Sequence, residues 1–323
     1  MNVFSCCWNS KNHSDGYAMC QEIVDLGFDH IEISHGIKLT LIPGILKAVD
    51  EGLVKATGVH NFCPAPIEVK GDSPDVFQFT SFREWERSRA MNLSKETIDF
   101  CHRVQAKYLV LHMGRVHRLE GSSRTRSLER LARAGDIGSI AYARKKNELM
   151  RERRKMAPIY YERARVALHE LAEYASKYDL MLGVEGRSHY EQIPSEEEML
   201  RLLDEFKDCP NVGYWHDFGH IQRKHNLLML DHEQFLDSVK AHLIGAHVND
   251  VQWPARDHRA PFAGSRRAGV DFDTLIPKFF TPDMPLTWEL SGSNKAEDIK
   301  ELKKDWDELC TEMKPAKKEG DFQ

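Results

Sequence analysis

The chain has 323 residues, of which 41% are hydrophobic and 29% are charged, and its formal net charge is −5 at pH 7. These fractions are typical of a soluble globular protein, and no apolar run reaches the roughly 18 residues that span a bilayer, so we expect no membrane partner. The negative charge argues against general binding to nucleic acid, because that affinity comes mainly from neutralising phosphates.

The N-terminus and the cysteines favour a cytoplasmic location. Residues 1–16, MNVFSCCWNSKNHSDG, lack the basic region and the sustained apolar stretch of a secretory signal. The seven cysteines are scattered and form no CxxC pair. This usage is typical of reduced thiols and not of a disulfide framework.

Eight short runs rich in apolar and β-branched residues alternate with segments of helical spacing. The predicted strands are 2–8, 28–34, 54–62, 107–114, 180–186, 212–220, 243–250 and 285–292. The main predicted helices are 17–27, 41–52, 94–106, 163–178, 194–206, 231–242 and 295–310. Alternation of strands and helices predicts a parallel sheet, and eight such units close into a barrel. We therefore predict an α/β fold, a single (β/α)8 TIM barrel over residues 1–312.

Three of these helices carry a start signal. Ser94 precedes a KET turn, Ser195 precedes three glutamates, and Asp231 is followed at the third position by Gln234. A short polar side chain at such a position accepts a hydrogen bond from a backbone N–H of the first turn. We expect all three to be N-caps.

Residues 115–162 interrupt the pattern between the fourth strand and its helix. The segment is strongly basic, and its two helical stretches are separated by Gly135 and Gly138. We interpret it as an inserted helical arm over the barrel mouth or at a subunit contact. Three roles stay open: a solvated charged helix, an arginine that binds an anionic substrate, and a contact within a homo-oligomer. The tail 313–323 has too little apolar content to pack, so we predict disorder there.

Ionisable or metal-binding residues lie at the ends of seven of the eight predicted strands. They are Glu32 and His35, then His60, then His112, then Glu185 and Arg187, then Asp217 and His220, then His247 and Asp250, and finally Glu289. In a barrel of this kind the chemistry lies at the carboxyl ends of the strands. We therefore expect these side chains to converge on one rim.

The acidic residues at this rim predict a cation. Glu185, Asp217 and Glu289 would repel one another in a pocket of low dielectric constant, and a divalent ion removes that conflict. With His247 the set becomes three carboxylates and one imidazole, which suits one Mn²⁺ ion, with Mg²⁺, Co²⁺ or Zn²⁺ as alternatives. His220, three residues beyond Asp217, is expected to face the substrate.

Four short motifs carry a family resemblance. They are GVEGR around Glu185, HDFGH around Asp217 and His220, HVND around His247 and Asp250, and TWEL around Glu289. Together they resemble the xylose isomerase-like TIM barrels, a group that holds sugar phosphate isomerases and epimerases as well as the type IV AP endonucleases. The resemblance covers most of the chain outside 115–162 and the tail. It implies that Glu185, Asp217, His247 and Glu289 bind one metal ion, that Glu185 and Glu289 also move protons, and that His220 contacts a substrate oxygen.

The resemblance implies a divalent-metal-dependent isomerase or epimerase of a sugar or sugar phosphate. Such an enzyme removes a proton next to a carbonyl group that the metal holds. The epimerases have an arginine six residues after the strand-seven histidine, where this chain has Trp253, and Arg187, Arg256 or Arg259 could replace it. The other candidate substrate-binding residues are His60, His112, Asp250, Trp253 and His258.

Two other reactions and one binding role stay open. A dehydratase or lyase acting on a keto-sugar or cyclitol would share the proton abstraction and then expel a leaving group. A type IV AP endonuclease would hold three zinc ions, using residues that resemble His60 and His112 and a DRH motif, where this chain reads DHR at Asp257, His258 and Arg259. A sugar-binding or scaffold protein without catalysis is the third alternative.

Overall fold

The computed structural model of the chain describes residues 1–68, 74–117, 124–254, 256–264 and 268–313. Among these residues the strands are β1 (Asn2–Ser5), β2 (His30–Ile33), β3 (Lys55–His60), β4 (Tyr108–Leu111), β5 (Met181–Glu185), β6 (Val212–Asp217), β7 (Leu243–Val248), β8 (Asp250–Gln252), β9 (Arg256–Arg259) and β10 (Leu286–Trp288). The helices are α1 (Gly16–Asp25), α2 (Ile42–Asp50), α3 (Glu84–Arg103), α4 (Arg124–Arg133), α5 (Ile140–Ala175), α6 (Glu196–Glu205), α7 (Phe218–Asn226), α8 (His232–Val239), α9 (Phe272–Phe279) and α10 (Ala296–Cys310).

Eight parallel strands in the described ranges form a closed barrel in the order β1, β10, β7, β6, β5, β4, β3, β2. Each predicted strand contains one of them, so the prediction of an α/β TIM barrel is confirmed. The prediction that 243–250 is one strand is wrong, because β7 ends at Val248 and Asp250 begins β8. β8 pairs with β9 in an antiparallel hairpin that lies in the loop after β7.

The barrel interior beneath the rim is filled by two stacked aromatic rings. Tyr108 and Trp215 lie 4.3 Å apart, ring centroid to centroid, and both are buried. Glycines make room for them: a Cβ atom on Gly58 would lie 2.0 Å from the Tyr108 ring, and one on Gly245 would lie 2.4 Å from Trp215. The Trp215 ring contacts His247 edge to face at 5.3 Å. The stack is therefore the floor of the rim site.

Two of the three predicted N-caps are confirmed. Ser195 forms a capping box with Glu198 at the start of α6, and Asp231 accepts a hydrogen bond from the Gln234 N–H at the start of α8. The prediction for Ser94 is wrong, because α3 begins ten residues earlier. Ser94 lies inside that helix and donates its hydroxyl to the Ala90 carbonyl at 2.8 Å. A serine inside a helix can satisfy its hydroxyl in this way, so the signal alone does not mark a helix end.

The basic insertion is partly continuous with a barrel helix. Gly135 and Gly138 separate α4 from α5 with φ angles of +82° and +91°, as expected of the predicted break. α5 then runs without interruption from Ile140 to Ala175, so the predicted helix 163–178 is not a separate element. The reason is that Arg153, Ala157, Tyr160 and Ala164 are buried at spacings of three and four residues, which continues one face through residue 162.

We call α4 and the part of α5 before residue 163 the arm. One face of the arm packs against the barrel in a small apolar cluster, whose buried members are Leu128, Tyr142, Leu149, Tyr190 and Leu227. The Tyr142 hydroxyl also donates to the Leu227 carbonyl at 2.7 Å. Arg144, Lys145 and Arg151 on the other face are exposed. The arm is thus held on the barrel by one side and presents charge on the other.

Two predicted segments fall partly or wholly outside the described residues. These are 118–123 of the insertion and 314–323 of the tail, while Met313 packs in the core. In the part of the chain that the structure describes, no helix combines the length and apolar character needed to cross a membrane. All seven cysteines lie in the described residues, and none of them forms a disulfide there.

A buried histidine pair lies outside the barrel, behind β6. His216 Nε2 lies 3.0 Å from His232 Nε2, and His232 Nδ1 lies 2.7 Å from the Gln222 amide oxygen. Burial lowers the pKa of His232 to about 3, and burial together with the charge of His232 lowers the pKa of His216 well below its ordinary value. Both imidazoles are therefore neutral in the folded protein at physiological pH.

This pair is expected to make the protein less stable as the pH falls. Below about pH 6.5 each histidine takes up a proton in the unfolded chain but not in the folded one, until the pH approaches the lowered folded-state pKa. The free energy of unfolding should then fall by about 1.4 kcal/mol per pH unit for each histidine. Urea unfolding at pH 7.5, 6.5 and 5.5 measures the slope. His232→Gln keeps a hydrogen-bonding side chain but removes one titrating group, so the slope should decrease by about 1.4 kcal/mol per pH unit. An unchanged slope contradicts the assignment of His232 as a buried neutral histidine.

Candidate metal centre

Four side chains from four neighbouring strands meet at the carboxyl end of the barrel. Glu185, Asp217, His247 and Glu289 each place one ligand atom within 4.8 Å of the other three. His247 Nδ1 lies 3.6 Å from Glu185 Oε1, 3.7 Å from Asp217 Oδ2 and 3.4 Å from Glu289 Oε2. All four side chains are buried. We call this set the four-residue centre.

The strand register brings these residues together. Glu185 and Asp217 are the last residues of β5 and β6, and His247 pairs with Asp217 across the β6–β7 ladder. Glu289 follows β10 directly, and its N–H donates to the Val248 carbonyl at 3.2 Å. Since neighbouring parallel strands end at one level, their last side chains share one edge of the barrel.

A carboxylate from β2 orients the histidine of the centre. His247 Nε2 lies 3.1 Å from Glu32 Oε2, and Glu32 Oε1 accepts the Ser5 hydroxyl at 3.1 Å. Because a carboxylate only accepts hydrogen bonds, Nε2 carries the proton and the Nδ1 lone pair faces the three acidic residues. Carboxylates commonly orient metal-binding histidines in this way. The sequence placed Glu32 at a strand end but gave no signal for this role, because its partner is 215 positions away.

Two polar atoms at the centre are buried without a hydrogen-bond partner: Glu185 Oε1 and His247 Nδ1. Most buried polar atoms in proteins are satisfied, so each such atom needs an explanation. Both atoms face the point between the four ligand residues, and both are acceptors that a cation would satisfy. The donor set of three carboxylates and one imidazole therefore fits a divalent ion.

The pKa values of Asp217 and His247 also indicate that the centre favours positive charge. Burial raises the pKa of Asp217, and the nearby negative charge of Glu185 raises it further. For His247 burial works in the other direction, but the charges of Glu289 and Glu32 outweigh it and raise the pKa well above its ordinary value. The buried acids thus favour positive charge at this position. A divalent ion would compensate the same negative charge.

Replacing Glu32 is expected to weaken metal binding without removing a ligand. In Glu32→Gln the neutral amide holds the His247 ring less firmly and no longer adds negative charge behind it. Changes of such orienting carboxylates typically cost about 10- to 100-fold in metal affinity, and we expect that loss in a Mn²⁺ titration. The matched control is Glu22→Gln, which alters another histidine–carboxylate pair, with His13 at 2.7 Å on the outer helix α1. Equal affinities in both variants contradict the orienting role.

A second cluster adjoins the centre on the β3–β4 side. His60 Nε2 and His112 Nε2 lie 3.3 and 2.5 Å from Glu185 Oε2. Asp75 accepts from His112 Nδ1 at 3.1 Å and from Arg187 Nη2 at 3.0 Å, and Arg187 Nη1 lies 3.5 Å from Glu185 Oε2. Glu185 therefore turns one oxygen to the four-residue centre and the other to this cluster. Asp75 was missed from the sequence because it lies in a long loop with no strand-end pattern.

A third cluster, formed by His220, Asp257 and His258, lies on the other side of the centre. His220 Nδ1 lies 3.1 Å from both the Gly186 carbonyl and Glu185 Oε1. His258 adopts a φ of +53° and places Nδ1 3.1 Å from the Glu289 carbonyl oxygen. The hydrogen bond of His220 Nδ1 is the one to Gly186, so its short distance to Glu185 Oε1 leaves that oxygen without a hydrogen-bond partner. Two of the predicted substrate-binding histidines are thus adjacent to the centre.

Two other predicted substrate-binding residues have different surroundings. Asp250 accepts hydrogen bonds from the backbone N–H groups of Val251, Gly264 and Val270 at 2.6 to 2.9 Å, so its carboxylate joins β8 to two residues that follow β9. Trp253 packs against the apolar cluster beneath the arm. Neither side chain belongs to the clusters described above, although Asp257 and His258 of the same hairpin do.

The three candidate arginines lie in different surroundings. Arg187 is 4% exposed and reaches Glu185. Arg256 and Arg259 are respectively exposed and partly buried, and the Arg259 guanidinium donates to the Ser293 hydroxyl at 3.1 Å. Of the three candidates for the missing epimerase arginine, the structure brings Arg187 to the centre.

Comparison with known proteins decides the family. A family model described as xylose isomerase-like TIM barrel matches residues 143–311, which is more than half of the chain. The chain belongs to the xylose isomerase-like TIM barrel family. This confirms the resemblance seen in the four motifs. The range matched to the xylose isomerase-like barrel contains all four residues of the centre.

Solved structures share the xylose isomerase-like barrel over nearly the whole chain. A D-tagatose 3-epimerase-like protein has a TM-score of 0.66 and 16% identity, covering 96% of this chain and 98% of that one. The 3-keto-D-glucoside 4-epimerase of E. coli has a TM-score of 0.61 and 16% identity, with coverages of 93% and 95%. D-allulose 3-epimerase from Methylomonas sp., in complex with D-allulose, has a TM-score of 0.62 and 12% identity, with coverages of 95% and 96%. At these identities the likeness is one of fold, and no curated protein matches the chain.

Proposed function

We propose that this protein is a divalent-metal-dependent isomerase or epimerase of a sugar or sugar phosphate. The observation that carries the proposal is the convergence of Glu185, Asp217, His247 and Glu289, with two buried acceptor atoms lacking a hydrogen-bond partner. A bound Mn²⁺, or alternatively Mg²⁺, Co²⁺ or Zn²⁺, would act as a Lewis acid on a substrate carbonyl and acidify the adjacent C–H group. The names of the similar structures, which are epimerases of tagatose, allulose and a keto-glucoside, support a carbohydrate substrate.

Glu185 and Glu289 are the groups proposed to move the proton. Both carboxylates are buried and face His247 Nδ1 from different strands, at 3.6 and 3.4 Å. One would take the proton from the carbon beside the carbonyl. The other would return it to the opposite face of that carbon in epimerisation, or to the neighbouring carbon in isomerisation. A carboxylate that also binds a cation is a weak base, so close positioning of the carbon must supply much of the rate.

His220 and Arg187 are proposed to bind the substrate. The Gly186 carbonyl holds His220 Nδ1, which leaves Nε2 as the nitrogen offered to a substrate oxygen. In the described site, Arg187 Nη1 is buried without a hydrogen-bond partner. A hydroxyl or phosphate oxygen would satisfy it. Arg187 is therefore our candidate for the arginine that the epimerases have where this chain has Trp253.

The test is proton exchange with solvent. The protein is loaded with Mn²⁺ and incubated in D₂O with a panel of ketoses, keto-glycosides and inosose-like cyclitols, and deuterium is located by NMR. We expect incorporation at a carbon adjacent to a carbonyl together with formation of an isomer or epimer. Loss of water or another group from the same substrate would instead identify the dehydratase or lyase. Binding of a sugar without any exchange in the whole panel contradicts an enzymatic role.

One observation favours a second candidate function, a phosphodiesterase resembling the type IV AP endonucleases. His60, His112 and Glu185 each place one ligand atom within 4.8 Å of the other two, because both Nε2 atoms lie next to Glu185 Oε2. Two imidazoles and a carboxylate are a donor set that suits zinc. Arg187 opposes this, because its guanidinium already lies beside the same carboxylate. Elemental analysis separates the two: we expect close to one metal ion per chain, whereas close to three, with cleavage of abasic-site DNA, would favour the phosphodiesterase.

A further inference from the structure

Arg223 connects three parts of the molecule at the edge of the site. It lies on α7, the helix that Asp217 caps, and its side chain is 14% exposed. Nη1 donates to Asp257 Oδ2 in β9 at 2.5 Å, and Nη2 donates to the Glu129 carboxylate on α4 of the arm. One guanidinium thus joins the arm to the hairpin that carries His258. Nothing in the four sequence motifs points to this residue.

The partner of Arg223 belongs to the third cluster. His220, Asp257 and His258 place their ligand atoms within 4.8 Å of one another. Two imidazoles and a carboxylate are a common donor set for zinc. The Asp257 carboxylate, however, already has a fixed positive charge on one oxygen. Asp217 and Glu289 differ in this respect, because in the described part of the chain their ion-pair partners are histidines.

The guanidinium is held in place from the other side. Glu129 is buried at 5% exposure, and α4 is anchored where Glu191 accepts the Thr125 N–H at 2.9 Å and also its hydroxyl. Arginine keeps its charge at every physiological pH. This charge would repel a cation that approaches the third cluster, because the guanidinium does not deprotonate and is held by two carboxylates.

We infer that Arg223 is a built-in cation that occupies Asp257 and keeps a metal ion out of the His220–Asp257–His258 cluster. The inference rests on the proposed function and deepens it. It means that the site holds one metal ion, the ion of the four-residue centre. His220 and His258 then stay available to substrate oxygens. The arm contributes to this exclusion of metal, because Glu129 on α4 forms the second ion pair of the guanidinium.

The experiment counts zinc ions in the full-length protein. Wild type, Arg223→Met, Arg223→Lys and the double variant Arg223→Met/Asp257→Asn are dialysed against Zn²⁺ at equal free concentration and analysed for metal per chain. Arg223→Met should bind one zinc ion more than wild type. Arg223→Lys, which keeps the charge, should match wild type, and the double variant should lose the extra ion. An Arg223→Met protein that folds and binds no extra zinc overturns the inference.

A second measurement does not depend on the folding of Arg223→Met. His258→Gln removes one donor of the third cluster from a protein that retains Arg223. Its zinc content should equal that of wild type, and a loss of one ion would overturn the inference, because the cluster would then hold metal despite Arg223. Failure of the proposed function is distinguishable. Absence of deuterium exchange in wild type would reject the isomerase, while the difference in zinc between variants would still report on Arg223.

Discussion

Replacing Glu289 or Glu185 by glutamine is expected to leave the protein folded and to reduce deuterium exchange into the substrate by at least 100-fold. Glutamine has nearly the same shape but cannot accept a proton at neutral pH, and general acid–base catalysis is typically worth about 100- to 10,000-fold. Glutamine also keeps the volume of the side chain and an oxygen that accepts hydrogen bonds, so the fold should be retained. NMR in D₂O measures exchange, and circular dichroism with thermal unfolding measures the fold.

The control for these variants is the same substitution on the surface. Glu233 pairs with Lys278 on the outside of the barrel at 2.5 Å, and both side chains are about half exposed. Glu233→Gln should retain wild-type exchange. Undiminished exchange in Glu185→Gln or in Glu289→Gln would remove that glutamate from the proton-transfer scheme. Lost metal in either variant would identify the ligand role as dominant, so metal content is measured in the same samples.

The second large effect concerns Arg153, which anchors the arm. It lies at 3% exposure and forms a two-pronged pair with Glu198, Nη1 to Oε1 at 2.8 Å and Nη2 to Oε2 at 2.6 Å. Nη2 also donates to the Gln192 carbonyl at 2.8 Å. In Arg153→Met the Glu198 carboxylate stays buried without its partner. Removing one member of a buried ion pair costs about 3–5 kcal/mol, and we expect that loss in the free energy of unfolding by urea.

The neighbouring residue supplies the control. Arg154 pairs with Glu197 at 3.3 Å, but both side chains are well exposed. Exposed pairs contribute about 0–1 kcal/mol, so Arg154→Met should be nearly neutral. The two variants lose the same charge from adjacent positions of α5 and differ in burial. Similar losses in both would mean that Arg153 does not anchor the arm.

Much of the fold was predictable from local sequence patterns. The eight strands were predictable because buried parallel strands are short apolar runs, and the four residues of the centre were predictable because such strands end on one edge. The Ser195 capping box was equally local. Ser94 shows the limit of that kind of signal, since residues 84–93 continue its helix upstream and override the cap.

Tertiary structure alone decided how these residues are supported. Glu32 meets His247, Asp75 meets His112 and Arg187, and Arg223 joins Glu129 to Asp257. These contacts join loops, helices and strands far apart in the chain, and no periodicity or spacing marks them. The sequence by itself determined the barrel and the four side chains that end on one rim, because both follow from local patterning and parallel topology. The orientation of those side chains and the fixed charges around them depend on packing between distant segments, which only the folded chain brings into contact.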